Sequence, residues 1–182
     1  MYTNLSPRPA TLDDLPQVLK INQTVDPPWS ETSFRQEIDK KHSGFWVITD
    51  DETDSHVLAY AVFSYPAEQA HLQTFAVHPE FRRRRLALGL LRKMIQFLGK
   101  KAVTSMVLEV KRTNIPAVKL YQSMGFIIIH TMPRFYADGE AAYSMIYHFD
   151  SETTSSEIVD AEFEDVESTD VPDKTRNKKN LI

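Results

Sequence analysis

Apolar positions in residues 1–150 fall into two rhythms. Leu12, Leu15, Val18 and Leu19 recur at the spacing of one helix face, with Asn22 as a polar end. Thr11-Leu12-Asp13-Asp14 reads as a capping box opening that helix. Asp26-Pro27-Pro28 closes it, because a proline pushes its predecessor out of helical geometry. Ser30 caps a second short helix carrying Phe34 and Ile38. Strands are predicted over Phe45–Thr49, Val57–Tyr65 and Ala70–Val77, separated by polar or proline-containing turns as in an antiparallel meander. Phe81–Leu98 reads as a helix with Leu86, Leu90, Leu91, Met94, Phe97 and Leu98 on one face and Gly99 as its stop. Ser105–Val110 is a strand. Asn114–Met124 is a helix ended by Gly125 as a left-handed cap. Phe126–Met132 and Ala142–Phe149 are strands joined by a loop containing Asp138-Gly139.

The predicted order is β-α-α-β-β-β-α-β-α-β-β. A strand-helix-strand step in the middle favours local parallel pairing, and the flanking hairpins are antiparallel. The fold class is therefore α/β, a mixed and mainly antiparallel sheet flanked by helices.

Composition narrows the picture. The chain has 182 residues, 42% apolar and 25% charged, an ordinary balance for one globular domain. Its longest unbroken apolar stretch, Val57–Phe63, is seven residues, whereas a membrane helix needs roughly 20. The amino-terminal stretch lacks the basic-then-apolar layout of a secretory signal. Cysteine is absent, which excludes disulfides, thiolate metal sites and a cysteine nucleophile, and suits a reducing, cytoplasmic setting. None of the six histidines has metal-ligand spacing, so none is assigned to a metal.

Charge divides the chain. Residues 151–182 carry nine acidic and four basic side chains, leaving residues 1–150 close to neutral. The 151–182 segment is rich in Ser, Thr, Asp and Glu and is expected to be a disordered acidic tail with a basic end. The folded domain is expected to occupy residues 1–150.

Three stretches could carry chemistry. In Phe75-Ala76-Val77-His78-Pro79-Glu80-Phe81, a strand runs into Arg82-Arg83-Arg84-Arg85 and a helix. Free N–H groups and the dipole of a helix start favour anions, and guanidinium forks suit phosphate. A solvated basic turn or a nucleic-acid patch would look alike by charge, although the near-neutral domain weighs against nucleic acid. Glu109 interrupts the apolar strand Leu108-Glu109-Val110 and is either an edge residue or a functional one. Tyr121 follows Asn114 by about two helical turns, so both share a face. Core packing is the alternative for the tyrosine. The third stretch, Arg134-Phe135-Tyr136-Ala137-Asp138-Gly139-Glu140, is a polar, aromatic loop of a kind that lines binding grooves.

Together these stretches resemble the GNAT superfamily of acetyl-CoA-dependent N-acetyltransferases. Arg82–Ala87 aligns with the family's Q/R-x-x-G-x-G/A cofactor motif, and Asn114 with Leu120–Phe126 aligns with its Asn and L-Y-x-x-x-G-F signature. Pro28-Trp29-Ser30-Glu31, Leu108-Glu109-Val110 and the Tyr136-Ala137-Asp138-Gly139-Glu140 loop are similar to marks of protein N-terminal acetyltransferases, the bacterial RimI type above all. The resemblance implies acetyl-CoA as co-substrate and a protein amino terminus as acceptor, for the RimI type an alanine terminus of a small-subunit ribosomal protein. It implies that Phe75, Ala76 and Val77 hold the acetyl carbonyl and pantetheine arm. Arg83, Arg84, Arg85, Leu86, Ala87 and Leu88 would wrap the diphosphate, and Asn114 would help hold the cofactor. Glu109 would be the general base, Tyr121 the general acid, and Tyr136 a lining residue of the peptide groove.

One departure stands out. The first glycine of the cofactor motif is Arg85 here. Glycine serves where backbone must approach closely or adopt a positive φ. A right-handed conformation at this position would leave the arginine harmless, and a positive φ would weaken cofactor binding.

Overall fold

The computed structural model describes residues 6–50 and 56–149; the tail expected over 151–182 lies outside them. The chain runs β1 (Arg8–Pro9), α1 (Leu15–Asn22), α2 (Glu31–Glu37), β2 (Ser43–Thr49), β3 (Val57–Ser64), β4 (Gln69–Val77), α3 (Leu86–Leu98), β5 (Ser105–Lys111), α4 (Ile115–Ser123), β6 (Ile127–Met132) and β7 (Ala142–His148). This is the order the sequence predicts. The strands form one seven-stranded sheet, β1-β2-β3-β4-β5-β7-β6. Only β4 and β5 pair in parallel; every other pairing is antiparallel.

Neighbouring residues of β3 alternate between two cores, as the period of a strand requires. Tyr60 and Val62 join Leu15, Val18, Ile21 and Phe34 from α1 and α2. Ala61 and Phe63 join Leu86, Leu90, Leu91, Met94 and Leu98 from α3. The continuous apolar run of β3 is thus a central strand covered on both faces. Each fully buried Leu or Phe contributes about 1.5–3 kcal/mol, so both helix layers are fastened to the same strand.

Two irregularities shape the middle of the sheet. Phe63 pairs with Leu72 and Val62 with Thr74, leaving Gln73 as an extra residue in β4. This bulge turns Thr74 to the face opposite Leu72, where its hydroxyl meets the Tyr60 hydroxyl at 3.3 Å. The β4–β5 ladder then ends at Leu72–Leu108. Both strands continue, β4 held by β3 as far as Val77 and β5 by β7 as far as Lys111. The centre of the sheet therefore opens toward the carboxyl end of β4.

The predicted helix over Phe81–Leu98 needs correction at its start. Pro79–Phe81 is a short 3-10 turn and α3 begins only at Leu86. Arg83 and Arg85 adopt φ of 62° and 60°, which a right-handed helix cannot contain. Gly99 has φ −62° and ends α3 without using a left-handed conformation. Gly125, by contrast, has φ 91° and closes α4 as expected.

Candidate active site

The opening in the sheet has two walls. On the first, β4 leads through the 3-10 turn to Arg82–Arg85 and the start of α3. Arg82 is spent on structure: its Nε donates to the Val77 carbonyl at 3.3 Å and its Nη2 to Thr24 Oγ1 at 3.4 Å. The Arg84 guanidinium lies 5.0 Å from the centre of the Phe81 ring, a cation–π contact. Arg85 precedes the first helical residue in a left-handed conformation, φ 60° and ψ 11°. Its carbonyl accepts the first full helical bond, from Gly89 N–H at 3.0 Å. The N–H groups of Leu86, Ala87 and Leu88 have no acceptor within the helix.

This wall fits a phosphate-bearing ligand. Unsatisfied N–H groups, the positive end of a three-turn helix and exposed guanidiniums converge there. The Leu86 side chain is buried in the core, so it offers only its backbone. Arg85 holds a conformation that costs a side-chain-bearing residue roughly 1–2 kcal/mol, yet the turn geometry is formed. The motif glycine's place is thus a positive-φ position filled by arginine.

The second wall is β5, α4 and the β6–β7 loop. Glu109 is held by His71 of β4, whose Nε2 lies 2.6 Å from Glu109 Oε2. Tyr121 is buried, its ring 6.5 Å from Phe75 at the end of β4 and 5.7 Å from Phe126. Burial, and then the charge of neighbouring Tyr136, push the Tyr121 phenol above its ordinary range. Among the described residues the one sealed side-chain polar atom without a partner is Gln73 Oε1. Tyr136 is pushed up by burial and then by Glu109. Tyr136 is thus electrostatically coupled both to Glu109 and to Tyr121. Asn114 caps α4, its Oδ1 accepting from Ala117 N–H at 3.3 Å, which leaves its Nδ2 for a ligand.

Lys111 stands two residues after Glu109 on the same strand face. Its Nζ bonds Asp138 of the β6–β7 loop at 2.6 Å and Asp26 of the α1–α2 loop at 2.5 Å. It also lies 5.0 Å from the Tyr136 ring centre. The hydrogen bonds to Asp138 and Asp26 hold the lysine above its ordinary pKa, and the lysine holds Asp138 below its own. The loop is further shaped by Glu140 N–H donating to Asp138 Oδ1 at 3.0 Å and by Thr113 N–H donating to Glu140 Oε1 at 3.2 Å.

A family model described as the acetyltransferase (GNAT) family matches residues 13–126, more than half of the chain. The chain belongs to the GNAT family. It is 32% identical over 114 residues to the [ribosomal protein bS18]-alanine N-acetyltransferase of Escherichia coli (strain K12), covering 62% of this chain and 74% of that one. It is 27% identical over 149 residues to an N-alpha-acetyltransferase of Saccharolobus solfataricus, covering 76% and 89%. The crystal structure of the E. coli ribosomal-protein-S18-alanine N-acetyltransferase superposes with a TM-score of 0.71 at 27% identity, over 85% of this chain and 97% of that chain.

Within this GNAT fold, Phe75–Val77 and Arg83–Leu88 follow one another along the run from β4 into α3, while Glu109 stands on β5, Tyr121 on α4 and Tyr136 in the β6–β7 loop. Sequence reasoning missed His71, Lys111 and Asp26. Lys111 had a faint signal, since it shares a strand face with Glu109. His71 and Asp26 had none, because their partners are 38 and 85 residues away along the chain. Among the described residues no helix is long and apolar enough to cross a membrane.

Proposed function

We propose that this N-acetyltransferase moves the acetyl group of acetyl-CoA to the α-amine of a protein, with an alanine terminus of a small-subunit ribosomal protein as the foremost substrate class. The observation carrying this reading is a carboxylate, Glu109, one residue beyond the end of the β4–β5 ladder, together with a shielded phenol, Tyr121, packed near Phe75 at the end of β4. The relatives named for bS18 alanine and for α-amines support the choice of acceptor.

Acetyl-CoA supplies, when bound, an activated thioester and a diphosphate. The N–H groups at the start of α3 and the neighbouring arginines are suited to hold that diphosphate. A free amino terminus has a pKa of about 7.7–8.0, so much of it is protonated at neutral pH. Glu109, directly or through one water, takes a proton from it and frees the nitrogen lone pair. A backbone N–H of Phe75–Val77, beyond the end of the β4–β5 ladder, would stabilise oxygen charge as the carbonyl is attacked. Tyr121, kept protonated by its burial, donates to the departing sulfur.

The test is a panel of acceptors incubated with purified protein and acetyl-CoA: peptides beginning with Ala, Ser or Met, an α-blocked peptide with an internal lysine, and spermidine. Acetylation confined to free α-amines, strongest for alanine, is expected. Preferred acetylation of spermidine or the blocked peptide would overturn the reading.

A further inference from the structure

Glu109 does not stand alone. His71 lies one strand away on the parallel neighbour, with its Nε2 2.6 Å from Glu109 Oε2. His71 stands one residue before the last β4–β5 pair, Leu72–Leu108, and Glu109 one residue beyond it. The bulge at Gln73 follows immediately, so His71 is the last residue of β4 on this face before the register shifts. Both side chains are part-exposed, 42% for His71 and 26% for Glu109, so they line the opening rather than the core. Apart from this bond, the Glu109 side chain makes no hydrogen bond to a described residue, which leaves Oε1 for an acceptor amine.

We propose that His71 is a positioning residue for Glu109. It grips Oε2 so that Oε1 faces the amine, and its own protonation governs how readily the carboxylate accepts a proton. This rests on the reading of Glu109 as the base. With a neutral ring, Nε2–H donates to Oε2 and the carboxylate keeps its charge and orientation. With a protonated ring, the pair becomes a full ion pair, which favours the charged carboxylate and makes it a poorer base. Tyr136 of the β6–β7 loop is coupled to Glu109 and also to Lys111, Glu140 and Asp138, the charged groups of β5 and that loop. His71's register partners, Ser64 on β3 and Val107 on β5, do not titrate.

The experiment compares His71→Gln, His71→Ala and Glu109→Gln with the unaltered protein. The probes are acetyl-CoA and a peptide beginning with alanine, and kcat/KM is followed against pH. Glutamine can donate to Oε2 but cannot titrate. His71→Gln should therefore keep kcat within a few-fold at high pH and lose one ionisation from the acidic limb. His71→Ala should lose about tenfold in kcat with the KM for acetyl-CoA unchanged, well short of the roughly 10²–10⁴-fold expected when an acid–base group is removed. A second readout needs no turnover: the ring ¹⁵N spectrum should show the Nε2–H tautomer in the unaltered protein and a mixture of tautomers in Glu109→Gln. An unchanged acidic limb in both His71 variants, beside an inactive Glu109→Gln, would overturn the positioning role and spare the base. Full activity in Glu109→Gln would remove both.

Discussion

The two walls of the opening hold their ligand-facing groups by opposite means. The wall at the start of α3 is cationic and rests on backbone: two left-handed arginines, unsatisfied N–H groups and a helix dipole. The wall at the end of β5 is anionic and aromatic and rests on side chains: Glu109 gripped by His71, and Lys111 drawing Asp26 and Asp138 together. Backbone donors read a phosphate that every cofactor molecule carries. Side chains from two strands and two loops are suited to an acceptor that must be selected. Changes on the first wall should therefore alter cofactor affinity, and changes on the second turnover and acceptor choice.

Replacing Glu109 by Gln is expected to have the largest effect, lowering kcat by roughly 10²–10⁴-fold while acetyl-CoA binding measured by calorimetry is unchanged. Tyr121→Phe keeps the packing against Phe75 and Phe126 and removes only the hydroxyl. Its kcat should fall by about 10²-fold, the lower end for an acid–base group. Because burial raises the phenol, the alkaline limb of the wild-type profile should show no loss from Tyr121 near the ordinary tyrosine pKa. Lys111→Met leaves Asp26 and Asp138 facing each other without their shared cation. The KM for peptide should rise several-fold with the KM for acetyl-CoA unmoved; equal rises in both would erase the division between the walls.

Smaller effects belong to stability. Arg85→Gly relieves a left-handed arginine at the cost of a freer unfolded chain. The net gain should be about 0.5–1 kcal/mol, seen as a rise of a few degrees in Tm, with Arg85→Ala giving no such rise. The smallest effect is expected far from the site. Burial pushes the Asp14 carboxyl up, but hydrogen bonds from Arg8 and Thr11 more than reverse this and leave it below its ordinary value. A depressed carboxylate stabilises the fold above its unfolded pKa, and that contribution disappears as pH falls through the folded one. Arg8→Met should therefore make acid unfolding begin at a higher pH, with little change at neutral pH.

Much of the framework was legible because it depends on local rhythm. The seven-residue apolar run of β3 could only be a strand covered on both faces, and the helical spacing from Leu86 to Leu98 matches α3 to the residue at its end. The start of that helix was not legible. Arginine is a good helix former, and nothing in four consecutive arginines announces that Arg83 turns left-handed; at Arg85 only the glycine place of the motif raised that possibility. The bulge was hidden too, since Leu72-Gln73-Thr74 alternates as an unbroken strand would. Of the site, Glu109 and Tyr121 were visible as polar intrusions in apolar segments. The groups that position the acceptor wall were not, because His71, Lys111 and Asp26 find their partners only through the sheet and its loops.

The most direct measurement is calorimetric titration with a bisubstrate in which CoA is joined through its acetyl group to the α-amine of an alanine-leading peptide. If the two walls are halves of one site, this molecule should bind far more tightly than CoA or the peptide alone, because the second contact becomes intramolecular. Binding no tighter than that of CoA would contradict the account.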